Sequence, residues 1–578
     1  MRSQDPLAAL AQPADALLHA ALARVTQGLA PASLVGAYLD WATHLAASPA
    51  KWQELVVKAQ RKLSRFALYA LQPPGSWEPV IEPLPQDGRF AHPDWQSWPF
   101  NLLQQGFLLA QQWWWNATTG VRGVDPHHEQ VVEFATRQWL DMFSPSNFPL
   151  TNPEVLRETV YRTGGNLTRG AINWWDDALR VAANRPPAGL ERWRVGENLA
   201  TTPGRVVYRN DLIELIQYAP QTDAVRPEPL LVVPSWIMKY YILDLQPHDS
   251  LARFLIERGY SVFMISWKNP GARERDVGFE DYMKGGVLAA LDAVGKIVPE
   301  ARVHALGYCL GGTILAMACA LLAREGDGRP ATLTLLAAET DFEEPGELSL
   351  FIDESQVSFL EDMMYTRGYL DGKEMAGAFA LLNSKDLVWS RMVHDYLMGR
   401  RDEVSDLKAW NADATRMPYR MHSEYLRHLY LNNDFTEGRF MVDGRPIALS
   451  DIRAPLFAVG TERDHVSPWR SVYKVNLFAD TEVTFLLTSG GHNVGVVSPP
   501  GGFAGATYRV ATRAAEDRYV DPETWRDATP LRKGSWWPEL AAWLDARSGA
   551  PGAPPAMGAP DKGLPPLDDA PGRYVLED

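Results

Sequence analysis

The stretch L-G-Y-C-L-G-G at residues 306–312 constrains the fold of this chain more than any other. It follows R-V-H-A-L, a run of strand length, and opens into T-I-L-A-M-A-C-A-L-L-A, an apolar run of helical length. Passing from strand to helix in so few residues requires a tight turn, and Gly307 and Gly311 let the two elements approach closely. The residue between them is pushed to an exposed apex, the geometry of a nucleophile elbow. That residue is Cys309, a thiol where a hydroxyl is usual. The start of a helix and a nearby imidazole both favour the thiolate, the reactive form. Most free cysteines are instead small buried hydrophobes. That reading suits Cys319, mid-helix among Ala and Met, and does not suit a cysteine flanked by glycines.

Around the elbow lie further strand-length apolar runs: P-L-L-V-V-P (229–234), S-V-F-M-I-S-W (261–267), T-L-T-L-L-A-A (332–338), P-L-F-A-V-G (455–460) and V-T-F-L-L-T (483–488). Continuous apolar runs mark strands buried on both faces, and the helical segments between most of them imply parallel pairing. R-V-V-Y-R-N-D-L-I-E-L-I-Q-Y (205–218) reads as a hairpin. A nucleophile elbow on such a sheet predicts an α/β-hydrolase fold, in which an acid and then a histidine follow the nucleophile in chain order. Asp464 and His492 each stand just past a predicted strand, the edge where parallel sheets place their ligands. Glu462 is an alternative acid, and His465 reads as structural because adjacent side chains seldom converge on one atom. An oxyanion hole would use the N–H of Leu310 and a second N–H near Ser235, Trp236 and Ile237, with Trp236 the choice.

Residues 1–195 read as an all-helical region and residues 196–546 as the catalytic domain. Between about 340 and 450 a helical, aromatic and Met-rich insertion reads as a cap over the pocket. Residues 547–578, rich in Pro, Gly, Ala and Asp, are expected to be disordered. The net charge of −15 argues against nucleic-acid binding. Two cysteines exclude a disulfide framework and a tetrahedral thiolate metal site, and they fit a reducing compartment. The first residues carry Asp5, Pro6, Pro13 and Asp15 where a signal peptide needs an unbroken apolar run. The apolar stretch 311–323 is too short to span a bilayer, so a soluble protein is expected.

The residues resemble the polyhydroxyalkanoate synthases, most closely the single-subunit short-chain type. The likeness runs through S-P-S-N-F-P-L-T-N-P-E (144–154), V-G-E-N-L-A-T-T-P-G (195–204), K-Y-Y-I-L-D-L-Q-P (239–247), S-W-K-N-P (266–270), G-Y-C-L-G-G (307–312), W-N-A-D-A-T-R-M-P (410–418), D-H-V-S-P-W (464–469) and G-H-N-V-G-V (491–496). It departs at Met238, where members often have Asn, and in S-G-G-H-N, where S-G-H is commoner. The resemblance implies that Cys309 carries the acyl group, with His492 the general base and Asp464 its partner. It implies a cytoplasmic homodimer that polymerises (R)-3-hydroxyacyl-CoA on polyester granules, releasing CoA, with no metal or other cofactor. Elbow and triad alone leave two other readings open. One is a thioesterase or polyester depolymerase of the same fold; the other is a non-catalytic granule protein.

Overall fold

Prolines and side-chain caps set where the N-terminal helices begin. Helices α1 (Pro31–Ala46), α2 (Pro49–Ala70), α4 (Pro126–Met142) and α5 (Pro153–Tyr161) each start on proline, whose missing N–H costs nothing there; α3 (Phe100–Thr118) and α6 (Gly165–Ala182) lie among them. Asp125 caps α4 by accepting from the His127 N–H at 2.9 Å, and Asn152 caps α5 by accepting from those of Glu154 and Val155. These elements belong to a computed structural model that describes residues 15–23, 26, 28–73, 75–84, 87–375, 377, 384–502 and 504–577.

The chain divides into two compact units. The helical unit comprises residues 29–191 and 377–404. Its core includes Phe90, Trp95 and Leu108, and Arg89 lies buried between Asp87 and Asp141 at 2.8 and 2.7 Å. The segment 377–404, which the sequence assigns to the cap insertion, belongs with these helices. Asn166 and Asn173 of α6 donate to the carbonyls of Leu397 and Asp395 at 2.8 and 2.9 Å. A Cβ on Gly170 would lie 1.7 Å from the Tyr396 carbonyl oxygen, so only glycine lets the backbones meet. In the other direction, Gly28 belongs with the second unit, where its carbonyl accepts from Gln356. Helical periodicity reveals an apolar face but not which unit the face packs on.

The second unit is built on one ten-stranded sheet. Its strands are β1 (Gly204–Arg209), β2 (Ile213–Tyr218), β3 (Leu230–Val233), β4 (Val262–Trp267), β5 (Val303–Tyr308), β6 (Pro330–Leu336), β7 (Leu456–Thr461), β8 (Val483–Thr488), β9 (Thr507–Arg513) and β10 (Arg532–Lys533). The spatial order is β1-β2-β4-β3-β5-β6-β7-β8-β9-β10. Strands β3 to β8 are mutually parallel, and every residue of β3, β4, β5, β7 and β8 is buried. The predicted 205–218 hairpin is present as the antiparallel pair β1–β2. Helix α7 (Leu310–Arg324) follows β5 directly. Between β6 and β7 the chain leaves the sheet through α8 (Glu354–Tyr365) and α9 (Tyr419–Tyr425).

The end of the chain corrects an expectation. Within 547–577, residues 567–570 lie along β1 and exchange main-chain hydrogen bonds with it: Val206 N–H to the Asp568 carbonyl, Leu567 N–H to the Val206 carbonyl, Ala570 N–H to the Gly204 carbonyl. The N–H groups of Arg573 and Tyr574 then cap the buried carboxylate of Glu214 at 2.8 and 3.0 Å. A composition poor in apolar residues cannot build a core, but main-chain pairing along a sheet edge needs none.

Candidate active site

Helix α7 is set so closely against the sheet that glycine is needed on both sides of Cys309. Cys309 has φ 52° and ψ −130°, a strained conformation for a non-glycine residue, and stands at the N-terminus of α7. A Cβ on Gly307 would lie 2.4 Å from the Gly312 Cα, and one on Gly311 would lie 2.2 Å from the Val233 carbonyl oxygen. The glycines around the cysteine are thus required by backbone contact, as the sequence predicts. The Gly311 contact also sets the loop after β3 beside the start of α7. Leu310, first residue of that helix, has an N–H with no intrahelical acceptor. Trp236 stands in the adjoining loop, buried, its ring packed edge-on against Phe279, Tyr282 and Tyr425.

Asp464 and His492 lie on the loops after β7 and β8, which the Arg463 N–H ties together by donating to the Gly490 carbonyl at 2.8 Å. The Asp464 carboxylate is fully buried and accepts from Thr461 Oγ1 at 2.8 Å, the Val466 N–H at 2.9 Å and the Ser467 N–H at 2.8 Å. His492 Nδ1 lies 2.8 Å from Asp464 Oδ2, so a proton sits on Nδ1 and Nε2 faces away from the carboxylate. The charge of Cys309 acts on the same imidazole. Burial alone would lower the His492 pKa, but the charges of Asp464 and Cys309 outweigh it and hold the ring well above the ordinary histidine value. Burial likewise raises Asp464, and His492 with the hydrogen bonds from Ser467 and Thr461 more than reverses this. Asp464 and His492, both named from sequence, are thus in hydrogen-bond contact.

The remaining candidates separate cleanly. Glu462 and His465 are exposed, and neither joins the cluster. Cys319 is buried in α7, and burial pushes its thiol up to about 12. Trp410 is buried, its indole N–H donating to the Lys239 carbonyl. Sequence reasoning did not single out Tyr308, whose hydroxyl donates to Asn493 Oδ1 beside His492, or Glu339 just past β6. An acidic residue immediately after an apolar strand run, at the same edge as Asp464 and His492, was the available signal.

A sheet of this order, with a nucleophile elbow after β5 and an acid–histidine pair on the loops after β7 and β8, defines an α/β-hydrolase-fold protein. Residues 86–255 match the family described as "Poly-beta-hydroxybutyrate polymerase (PhaC) N-terminus", and residues 9–51 match "Poly-beta-hydroxybutyrate polymerase N terminal". The chain belongs to the poly(3-hydroxyalkanoate) polymerase family. It is 42% identical over 86% of its length to a poly(3-hydroxyalkanoate) polymerase of Methylorubrum extorquens, covering 82% of that protein. It is 35% identical over 85% of its length to the poly(3-hydroxyalkanoate) polymerase subunit PhaC of Cupriavidus necator, covering 83% of that protein. Among solved structures, a monoacylglycerol lipase of Paleococcus ferrophilus aligns with 58% of this chain and 99% of its own, at 11% identity and a TM-score of 0.32.

Proposed function

We propose that this chain joins (R)-3-hydroxyacyl-CoA units, short ones such as 3-hydroxybutyryl-CoA, into polyester with release of CoA, through an acyl thioester on Cys309. The observation that most supports this is the Asp464–His492 pair at 2.8 Å, with Cys309 at the strained apex between β5 and α7 acting on the same imidazole.

In this reading His492 Nε2 takes the Cys309 proton and the thiolate attacks the thioester carbonyl of the acyl-CoA. The developing oxyanion is held by the N–H groups of Leu310 and Trp236, donors that contribute on the order of 3 kcal/mol each when well aimed. CoA leaves with the proton from His492, and the acyl group stays on sulfur as a thioester of nearly unchanged energy. A hydroxyl at the end of a hydroxyacyl unit, deprotonated by His492, then attacks. The C–S bond breaks, an oxoester forms and Cys309 regains its proton. This step is downhill, whereas a serine nucleophile would hold the chain as a stable oxoester. The steps are proton and acyl transfers, and they balance without a metal or redox cofactor.

By the same family resemblance the protein acts in the cytoplasm as a homodimer at the surface of polyester granules. The apolar side chains that α2 and α6 expose, among them Leu63, Leu68, Ile172, Trp174 and Trp175, are consistent with an apolar surface as partner. Supplying 3-hydroxybutyryl-CoA to purified protein tests the activity. Free CoA together with insoluble polyester is expected, both lost in Cys309→Ala. Soluble 3-hydroxybutyrate without polymer would mean a hydrolase.

A further inference from the structure

Asp341 and Glu339, two residues apart after β6, are both buried and are treated differently. Asp341 receives the ammonium of Lys474 at 2.8 Å and the amide of Asn433 at 2.9 Å. Glu339 is 4% exposed, and its Oε1 has no hydrogen-bond partner among the described residues. Leaving a carboxyl so placed costs stability, so the position calls for a reason.

Its surroundings supply one. The Glu339 carbonyl accepts from Thr313 Oγ1 at 2.7 Å, and the Thr313 N–H donates to the Cys309 carbonyl at 3.2 Å. The glutamate backbone is thus fastened to the first turn of the helix that carries the thiol. The charges of Asp464, Cys309 and His492 act on its carboxyl, and the carboxyl in turn acts on Tyr425 and Tyr430. Burial first, then the like charges of Asp464 and Cys309, push its pKa well above the ordinary carboxyl range. A neutral carboxylic acid has one O–H to donate and oxygens to accept.

We infer that Glu339 donates a hydrogen bond to the 3-hydroxyl of the acyl group on Cys309 and so selects hydroxyacyl over plain acyl groups. The inference rests on the synthase reading above. With the thioester oxygen assigned to Leu310 and Trp236, the 3-hydroxyl is the remaining polar group of a 3-hydroxyacyl unit and the one left for a buried donor. A site that hydrogen-bonds a substrate hydroxyl disfavours the analogue lacking it, because its own polar group is then stranded.

The test compares the rates at which 3-hydroxybutyryl-CoA and butyryl-CoA label Cys309, read by mass spectrometry after rapid quenching, in wild type, Glu339→Gln and Glu339→Leu. Glu339→Leu should lose preference for the hydroxyacyl ester by roughly tenfold, the worth of one hydrogen bond, and melt no lower than wild type. Glu339→Gln, neutral and still a donor, should keep the preference. Should leucine not be accommodated, Glu339→Ala allows the same comparison. An unchanged preference in the apolar variants would overturn the inference, as would equal slowing with both esters and a lower melting point, which marks a packing role. Failure of both esters to label wild-type Cys309 would instead strike the synthase reading, and the inference would fall with it.

Discussion

Asp464 is buried, and its two oxygens are engaged by Thr461, Val466, Ser467 and His492. This network fixes the tautomer and charge of the imidazole. In Asp464→Asn the attraction that outweighs burial is gone, so the His492 titration followed by NMR should move down. With Asp464 orienting His492 as proposed, turnover should fall on the order of 10⁴-fold. The same pair makes a statement about stability. Because Asp464 titrates below its ordinary value, its contribution is complete above the usual carboxylate range and is lost as pH falls through the folded-state value. His492, raised, contributes below its ordinary value and loses that contribution as pH rises through the folded one. Melting temperature measured on acidification should therefore fall more steeply in wild type than in Asp464→Asn. The elbow at Cys309 and the pairing of Asp464 with His492 were legible from residue type and chain order. Glu339 carried only the weaker signal of an acid after an apolar strand run, because its lack of a partner shows only in the packing.

At the scale of elements, the packing of α7 on β3 is the critical contact. Gly311→Ala would place a methyl 2.2 Å from the Val233 carbonyl oxygen, a backbone atom that cannot swing away. The variant should lose about 1–3 kcal/mol in urea unfolding, and it should lose acyl-transfer activity more completely because the elbow itself must shift. A variant as stable as wild type would show that the helix stands further from the sheet than described. Strands β3, β4, β5, β7 and β8 were visible as apolar runs because both their faces are covered. Strand β9 escaped notice for the converse reason. Its residues are mostly half-buried, and T-Y-R-V-A-T-R carries no continuous apolar run.

For the molecule as a whole, sequence fails where two segments far apart in the chain meet. Residues 377–404 join helices formed by residues 29–191, and residues 567–574 close the edge of a sheet begun at residue 204. Neither partner carries a local sign of the other. Removing residues 549–578 should strip Glu214 of two charge-assisted hydrogen bonds and lower stability by roughly 3 kcal/mol, read from the unfolding midpoint. An unchanged midpoint would restore the disordered tail that composition suggests. In the proposed reaction all of the chemistry passes through the sulfur between β5 and α7. Rapid quenching with 3-hydroxybutyryl-CoA, proteolysis and mass spectrometry measure it most directly. A hydroxybutyryl mass is expected on the peptide containing Cys309, absent from the peptides of a Cys309→Ala protein. Polymer formation by that variant, or an acyl mass on any other residue, would contradict it.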